Sequence, residues 1–562
     1  MKNKTKLLIS AGILLSSSCI PVLAQQTGGG KTGQLGNEDI DIVKEYQPVV
    51  NDAFKINLQP DQDTLSTGTG QALKYAVDPI QAKSQYNTSP IKPVRIKDDS
   101  IRKLYKGWVK AGYGLENMPL LDASFNSIRS KNYDAGISLK HLSASGNIKD
   151  YGFPGNSRST ADLYGTRYFE RFSLGAHAGF QADKVHYYGF LTPPELFSKA
   201  ETKHTMNKVF GGLAIRGIQR DDDRWQYKGA LDFYSFGDNF DSRENDIQLS
   251  GKLSKSMNNS AFELDLAGQF GEIKQEQFSF GRSIIRFNPR FIIKRDLLTL
   301  TVGGRVAVET NNNDSEYRIY PEAQAEYRII ADAVRVYGGM YGDLQRNDLS
   351  QFAQENPFFG NFVPLVNTND KLVLKAGTAI RMEHDLMFTA EARFRRSRHL
   401  PFFYNTWNAD FPNTFTVQYD NGEVFTLHSS IEYKRTEKSS LSASVEYNRY
   451  SLDELEKPFY APRLRAGLNG HYKIGEKILV KADVFLNNGM DGLSYTKKDS
   501  LVVSNVTELK GWVDFNLSVD YRYSKQLSAW ISMNNVGFSR YFRWYDYPSY
   551  RFLGMAGVSY SF

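Results

Sequence analysis

From Trp108 onward the chain alternates. Over residues 513 to 523, Val513, Phe515, Leu517, Val519, Tyr521 and Tyr523 take every second position, and Asp514, Asn516, Ser518, Asp520 and Arg522 fill the gaps. Successive side chains of a β-strand point to opposite faces, so this pattern predicts a strand with one apolar and one polar face. Residues 317 to 327 repeat it: Tyr317, Ile319, Ala323, Ala325 and Tyr327 face one way, Arg318, Glu322, Gln324 and Glu326 the other. Pro321 interrupts this second segment, because a strand proline lacks a ladder N–H.

Tight connections alternate with long ones. The tight set includes turns near Lys525, Glu476, Thr436, His384, Arg295 and Asn258; the long set covers 183–202, 345–370, 400–422, 451–461 and 489–508. Short turns on one rim and long loops on the other are the signature of an outer-membrane barrel. Counting back from Phe562 with strict up-and-down alternation places strand ends near 562, 536, 523, 488, 475, 450, 435, 399 and 382. The series continues at 344, 328, 309, 293, 271, 256, 238, 217, 182, 169, 145, 128 and 114. The expected fold is all-β, a transmembrane antiparallel barrel of about twenty-two strands, with twenty and twenty-four as the neighbouring even counts. The segment "TFTVQYDNGE" (414–423) breaks the alternation and reads as a small hairpin inside the loop after His399.

The first residues change the picture. Lys2, Lys4 and Lys6 precede an apolar run, and Val22-Leu23-Ala24 stands before Gln25, which predicts a secretory signal over 1–24 cleaved after Ala24. A lipoprotein signal using Cys19 is the weaker reading, since Ser16 stands where such signals carry Leu. Cys19 is the one cysteine, so the processed chain would hold neither a disulfide nor a thiol-based metal site. Residues 25–105 are polar and punctuated by Pro60, Pro79, Pro90 and Pro93, and read as a largely extended segment, periplasmic or inserted in the lumen; residues 106–562 form the barrel.

Composition agrees with strands. The chain has 33 Tyr, 36 Phe and 45 Gly against 19 Pro. A mean hydropathy of −0.46 is no objection, because a barrel with a wet lumen needs apolar residues only at alternate positions. The formal charge of +7 falls to +4 without the three signal lysines (7 − 3), too little to argue for nucleic acid. No spacing of the eight His suggests a metal pair, and no nucleophile or phosphate-loop motif stands in a supporting context. The expectation is therefore no enzyme and no cofactor.

In hydrocarbon an open sheet edge leaves backbone groups unsatisfied at several kcal/mol each, so the last strand must pair with the first. "GMAGVSYSF" (Gly554 to Phe562) has the alternation of such a closing strand, with Ala556, Val558, Tyr560 and Phe562 toward lipid. Asn534, Asn535, Tyr541, Trp544, Tyr547, Pro548, Gly557, Tyr560 and Phe562 together resemble the last strands of TonB-dependent receptor barrels. The resemblance implies an outer-membrane protein of a Gram-negative bacterium, engaged in solute uptake. It also implies outer-membrane lipids and the barrel-assembly machinery as partners, the latter reading Val558, Tyr560 and Phe562 as a C-terminal signal. The chain departs from that family in lacking room and pattern for a globular plug before Trp108, although "DIDIVKEY" (Asp39 to Tyr46) is similar to the family's energy-coupling box.

Taken literally, the alternation turns Arg286, Arg290, Arg305, Arg318, Arg335, Arg381, Arg393, Arg395, Arg463 and Arg465 inward, with Glu322, Glu326 and Glu391. Such a wall suits an anionic solute or an acidic peptide; the plainer reading is a set of mutually compensated lumen charges. "GNEDIDIVKEY", with Glu38, Asp39, Asp41 and Glu45, is a candidate to line this wall as a seal. The aromatic loops "QENPFFGNFVP" (354–364) and "HLPFFYNTWNADF" (399–411) read as rim packing or as a surface for a sugar or protein partner. "RDDDR" (220–224) and "DNFDSREND" (238–246) lack Ca²⁺-loop spacing and read as solvated turns. Two functions follow: transport of a solute, or anchoring of a complex whose periplasmic or lipoprotein partner binds residues 25–105.

Overall fold

The computed structural model describes residues 104–562, apart from short stretches at 191–196, 219–223, 277, 313, 331–332, 383–384, 408–411 and 499–500. The expected signal, the acidic "GNEDIDIVKEY" run, the "DIDIVKEY" box, His384 and most of "RDDDR" lie outside the described residues.

The strands follow the alternation. The first are β1 (Gly107–Gly114), β2 (Met118–Asn126), β3 (Tyr133–Ala144), β4 (Asn156–Tyr168), β5 (Phe172–His186), β6 (Lys203–Gly217) and β7 (Gln226–Asp238). Next come β8 (Arg243–Met257), β9 (Ser260–Gln275), β10 (Phe278–Arg295), β11 (Leu298–Asn311), β12 (Asp314–Ile330) and β13 (Val334–Gln345). After a short helix α1 (Leu349–Glu355) the chain continues through β14 (Thr368–Met382), β15 (Leu386–Trp407), β16 (Pro412–Thr436), β17 (Ser439–Leu452), β18 (Leu464–Ile474) and β19 (Ile478–Asn488). A separate hairpin, β20 (Met490–Lys498) and β21 (Leu501–Leu509), precedes β22 (Trp512–Arg522) and β23 (Leu527–Asn534). A second small hairpin, β24 (Phe542–Trp544) and β25 (Tyr547–Pro548), precedes the last strand β26 (Leu553–Ser561).

Twenty-two of these strands make one antiparallel sheet that closes through β1 and β26. One rim carries only short connections, where Asn258, Asp296 and Gly475 take the left-handed conformation that short hairpins demand; the opposite rim carries the long loops and also tight turns at Glu276 and Asn312. The outward positions form an apolar belt: Tyr317 and Ile319 on β12 are 76% and 77% exposed, and Val513 and Tyr521 on β22 are exposed likewise. Pro321 sits opposite Gly304 of β11, and β12 pairs with β13 only from Ala323 onward. The proline thus stands where its missing N–H leaves no ladder bond unmade.

At the seam Gly112 faces Gly557, flanked by Ala111↔Val558 and Tyr113↔Ala556. Gly107 and Phe562 exchange both backbone hydrogen bonds. The Trp530 indole covers the glycine pair: a Cβ at Gly112 would lie 2.4 Å from it, and one at Gly557 would lie 2.1 Å from the Ala111 carbonyl. Lys110 caps the indole face at 4.1 Å. Val558, Tyr560 and Phe562 point outward and are about half exposed.

One expected element is different. Residues 414–423 are no separate hairpin but the outer half of β16, paired with the outer half of β15 from Leu400↔Asp420 to Trp407↔Pro412. The reason is a bulge. His399 has φ +56°, which shifts the register between Ser397 and Leu400 and bends the ladder without ending it.

Candidate functional site

The long loops converge over the mouth. The connection after β5 brings Tyr187 and Tyr188; the connection after β13 brings α1, Phe358, Phe359 and Val363. The β15–β16 extension adds Phe403 and Phe415, the loop after β17 adds Phe459 and Tyr460, the β20–β21 hairpin adds Leu493 and Leu509, and the β24–β25 hairpin adds Trp544 and Tyr547. These side chains form one buried cluster in which Tyr187, Phe359 and Phe415 have 1% exposure or less. Since β5 and β15 are nearly half the ring apart, contact between their loops requires both to lie across the opening.

The rings interlock at close range. Phe358 stacks on Tyr547 with centroids 4.0 Å apart, and Trp544 meets Phe403, Phe415 and Tyr460 at 5.1, 5.3 and 5.1 Å. Such pairs each contribute about 0.5–1.5 kcal/mol beyond their burial. Buried polar groups are satisfied between loops. The Asn413 amide donates to the carbonyls of Gly189 at 2.8 Å and Tyr545 at 2.7 Å, and Tyr547 Oη donates to the Asn413 carbonyl at 2.9 Å. Tyr187 Oη donates to the Phe359 carbonyl at 2.6 Å, and Tyr460 Oη to Asn405 Oδ1 at 2.7 Å. Burial pushes the Tyr460 and Tyr547 phenols well above their ordinary range, which keeps them as donors. Burial also pushes the Asp546 carboxyl, in the turn between β24 and β25, up to about 6.

Below this cap lies the polar face. Glu244 on β8 receives a hydrogen bond from Arg282 of β10 at 3.0 Å and from the Ser350 N–H of α1 at 3.0 Å. Arg282 also reaches Asp348 at 2.5 Å, and Arg346 pairs with Asp348 at 2.7 Å and with Asp246. This buried network ties the base of the β13–β14 connection to the wall. Lys208 of β6 joins it through Ser350 Oγ at 2.9 Å. "DNFDSREND" is not a solvated turn: Ser242, Glu244 and Asp246 are buried, β8 begins at Arg243, and Asp238 caps the N–H groups of Phe240 and Ser242 at 2.9 Å.

The ten expected arginines have different surroundings. Arg290 pairs with Glu263 at 3.1 Å and with Asp265; Arg305 chelates Glu322 at 2.9 and 3.2 Å; Arg318 pairs with Glu309 and Glu316. Arg286 donates to Gln269 at 3.0 Å and the Leu344 carbonyl at 2.7 Å. Arg335 faces Glu326 at 3.7 Å, Arg393 bonds Glu391 at 2.5 Å and Arg463 reaches Asp491 at 3.2 Å. Arg395 comes only within 3.8 Å of Asp370. Arg465, opposite Glu446 in the β17–β18 register, has a buried Nε without a hydrogen-bond partner, and Arg381 is exposed.

The aromatic density of 354–364 and 399–411 signalled loop packing, and Phe358, Phe359, Val363 and Phe403 are buried in the cap. Tyr187, Tyr188, Asn413 and Tyr460 carried no local signal of the partners they meet, because Phe359, Pro548, Gly189, Tyr545 and Asn405 lie on other loops.

No protein-family model matches the chain, and no curated protein sequence does. Solved structures are similar in fold. The FrpB iron transporter of Neisseria meningitidis in its apoprotein form aligns with TM-score 0.62 and 10% identity, over 82% of each chain. The ferric-catecholate import receptor Fiu of E. coli K12 gives 0.60 and 10%, again over 82% of each. The ferripyoverdine receptor of the Pseudomonas aeruginosa outer membrane gives 0.59 and 13%, over 82% of this chain and 72% of the receptor. At such identities the likeness is one of architecture: this chain has the barrel fold of outer-membrane receptors.

Proposed function

We propose that the protein is an outer-membrane conduit for a solute, a barrel without a globular plug whose own loops close its mouth. The observation that carries this reading is the interlocked cap. Loops from nearly opposite strands share buried side chains such as Asn413 and Tyr547, so passage through the lumen requires that they part. Transport, the role stated for the FrpB neighbour, and import, the role stated for Fiu, fit this arrangement; the solute need not be theirs.

The reading places the chain in the Gram-negative outer membrane after cleavage following Ala24, with lipids at the apolar belt. Val558, Tyr560 and Phe562 serve the assembly machinery, so deleting 560–562 strands the protein in the periplasm. The polar face carrying the ten arginines lines the lumen. The same closed mouth suits a second reading, in which the barrel anchors a complex through residues 25–105. Single-channel recording in planar bilayers separates the two. Closed-state baseline with discrete openings, made more frequent by Asn413→Ala, supports a gated conduit. A barrel silent in both forms that retains a stable partner on residues 25–105 overturns it.

A further inference from the structure

The outer face of β14 to β17 changes character at one height. Along β15 the outward positions are Phe388, Ala390, Ala392 and Phe394, followed by Arg396 and Arg398; Ser397 between the arginines turns inward and is buried. The Arg396 side chain is 68% exposed, and Arg398 is exposed likewise. On β14 a bulge between Asp370 and Leu372 sets Lys371 between the rows Asn369↔Arg398 and Leu372↔Arg396, and Lys371 is exposed while Asp370 is buried. Lys371 is thus a cross-strand neighbour of both arginines, at about 5–8 Å between Cβ atoms. Two strands on from β15, Arg449 of β17 is exposed in register with Phe425 of β16, which faces Phe394.

Strand length fixes the height of these cations. Arg396 and Arg398 are ten and twelve residues beyond Leu386, where β15 leaves its short turn; Arg449 is ten beyond Ser439, and Lys371 is eleven before Met382. At about 3.3 Å per residue and a tilt of about 40°, ten residues climb about 25 Å, which is the height of the apolar band of an outer-membrane barrel. The cations therefore stand where the band ends, on the side of the long loops. Directly below them the face is apolar, with Leu374, Phe425 and Leu427 exposed.

Carboxylates do not neutralise this row. Glu423, opposite Arg396, approaches it only to 3.8 Å, beyond hydrogen-bond distance, and Asp453 follows past the end of β17. Among the described residues Lys371, Arg398 and Arg449 form no ion pair. Like charges on neighbouring strands destabilise a sheet, and a shared anion over them relieves the repulsion. A position at the edge of the band calls for an amphiphile, and the cations call for an anionic one. An acidic peptide would meet the charges and leave the apolar rows unmatched.

We propose that Lys371, Arg396, Arg398 and Arg449 bind the phosphate groups of an outer-leaflet glycolipid whose acyl chains lie against Leu374, Phe425 and Leu427. The inference rests on the outer-membrane placement of the barrel and needs no conduction, so it stands or falls apart from the conduit.

The test is native mass spectrometry of the full chain released from detergent micelles, titrated with bis-phosphorylated lipid A and with the same lipid stripped of both phosphates. The parent should hold the phosphorylated lipid, and the stripped lipid roughly tenfold or more weakly, the loss of at least one charge-assisted hydrogen bond. The Arg396→Ser, Arg398→Ser double variant should lose affinity for the phosphorylated lipid to the same degree, and Arg396→Lys should keep most of it. Arg167→Ser, at an exposed position near the short-turn end of β4, should bind as the parent does. Heat-modifiable gel migration establishes that each variant is a folded barrel. Equal retention of the two lipids would assign the face to acyl contacts alone and overturn the proposal. Absence of bound lipid on the parent, or equal affinity in the parent and the double variant, overturns it as well.

Discussion

Two sectors of the inner wall use the same residue types to different ends. On β8 to β12, arginines meet carboxylates at hydrogen-bond distance: Arg282 with Glu244, Arg290 with Glu263, Arg305 with Glu322. On β15 to β18, Arg395 and Arg465 occupy equivalent inward positions while the adjacent carboxylates are taken by Asn448, Ser397 and Gln345. Register alone does not decide the difference; the donor that the facing carboxylate accepts from does. Arg290 is directly opposite Glu263, so the pair forms without rearrangement, whereas Glu446 faces Arg465 but bonds its own strand neighbour. A paired arginine is part of the scaffold; an arginine left beside engaged carboxylates retains charge for something else.

The comparison breaks first at Glu244, which is fully buried. Glu244→Ala strips one of two carboxylate partners from Arg282, which keeps Asp348, and the acceptor from the α1 N–H of Ser350, and is expected to cost about 3–6 kcal/mol, two buried hydrogen bonds to a charged group at about 1.5–3 kcal/mol each. Hydrogen exchange over 346–356 reads the loss, and protection equal to the parent would contradict the anchoring role. Asn413→Ala comes next. It removes two buried inter-loop hydrogen bonds and places alanine at φ +70°, for about 2–3 kcal/mol. Faster exchange should be confined to the loop after β5 and the β24–β25 hairpin, with the β8–β12 wall unchanged.

Acidity gives a smaller effect. Asp546 is raised from 3.8 to about 6 by burial, so the closed cap favours its neutral form. The corresponding stabilisation is present in full below pH 3.8 and is lost as pH rises to about 6. Exchange of the β24–β25 hairpin should therefore quicken between those values, and Asp546→Asn should flatten the profile. Least of all, Arg465→Met should alter thermal stability by no more than about 0.5 kcal/mol, since no partner is orphaned. A loss comparable with that of Glu244→Ala would show that Arg465 is scaffold after all and erase the distinction between the sectors.

The barrel was legible because its rule is local. Alternation at 317–327 and 513–523 specifies which side chains face lipid without reference to any other strand, and short turns such as that at Asn258 need only their own residues. Strand ends near 217, 382, 475 and 488 fall within a residue of Gly217, Met382, Ile474 and Asn488. The rule failed at 414–423. There the ladder survives a bulge, because a single residue at φ +56° bends the pair more cheaply than losing the hydrogen bonds beyond it.

The cap was legible only as aromatic loops. Asn413 meets Gly189, and Tyr188 Oη donates to the Pro548 carbonyl at 3.1 Å, across most of the chain and across the mouth. Composition shows that such residues need burial and not which loop supplies it. By itself the sequence determined the strand pattern, the turn rhythm and the alternation of the closing strand, since each is a matter of neighbours along the chain and the satisfaction of backbone groups in lipid. Tertiary structure decided which arginines are neutralised and that the mouth is closed. Both depend on distances between residues on different strands and loops, which no local pattern encodes.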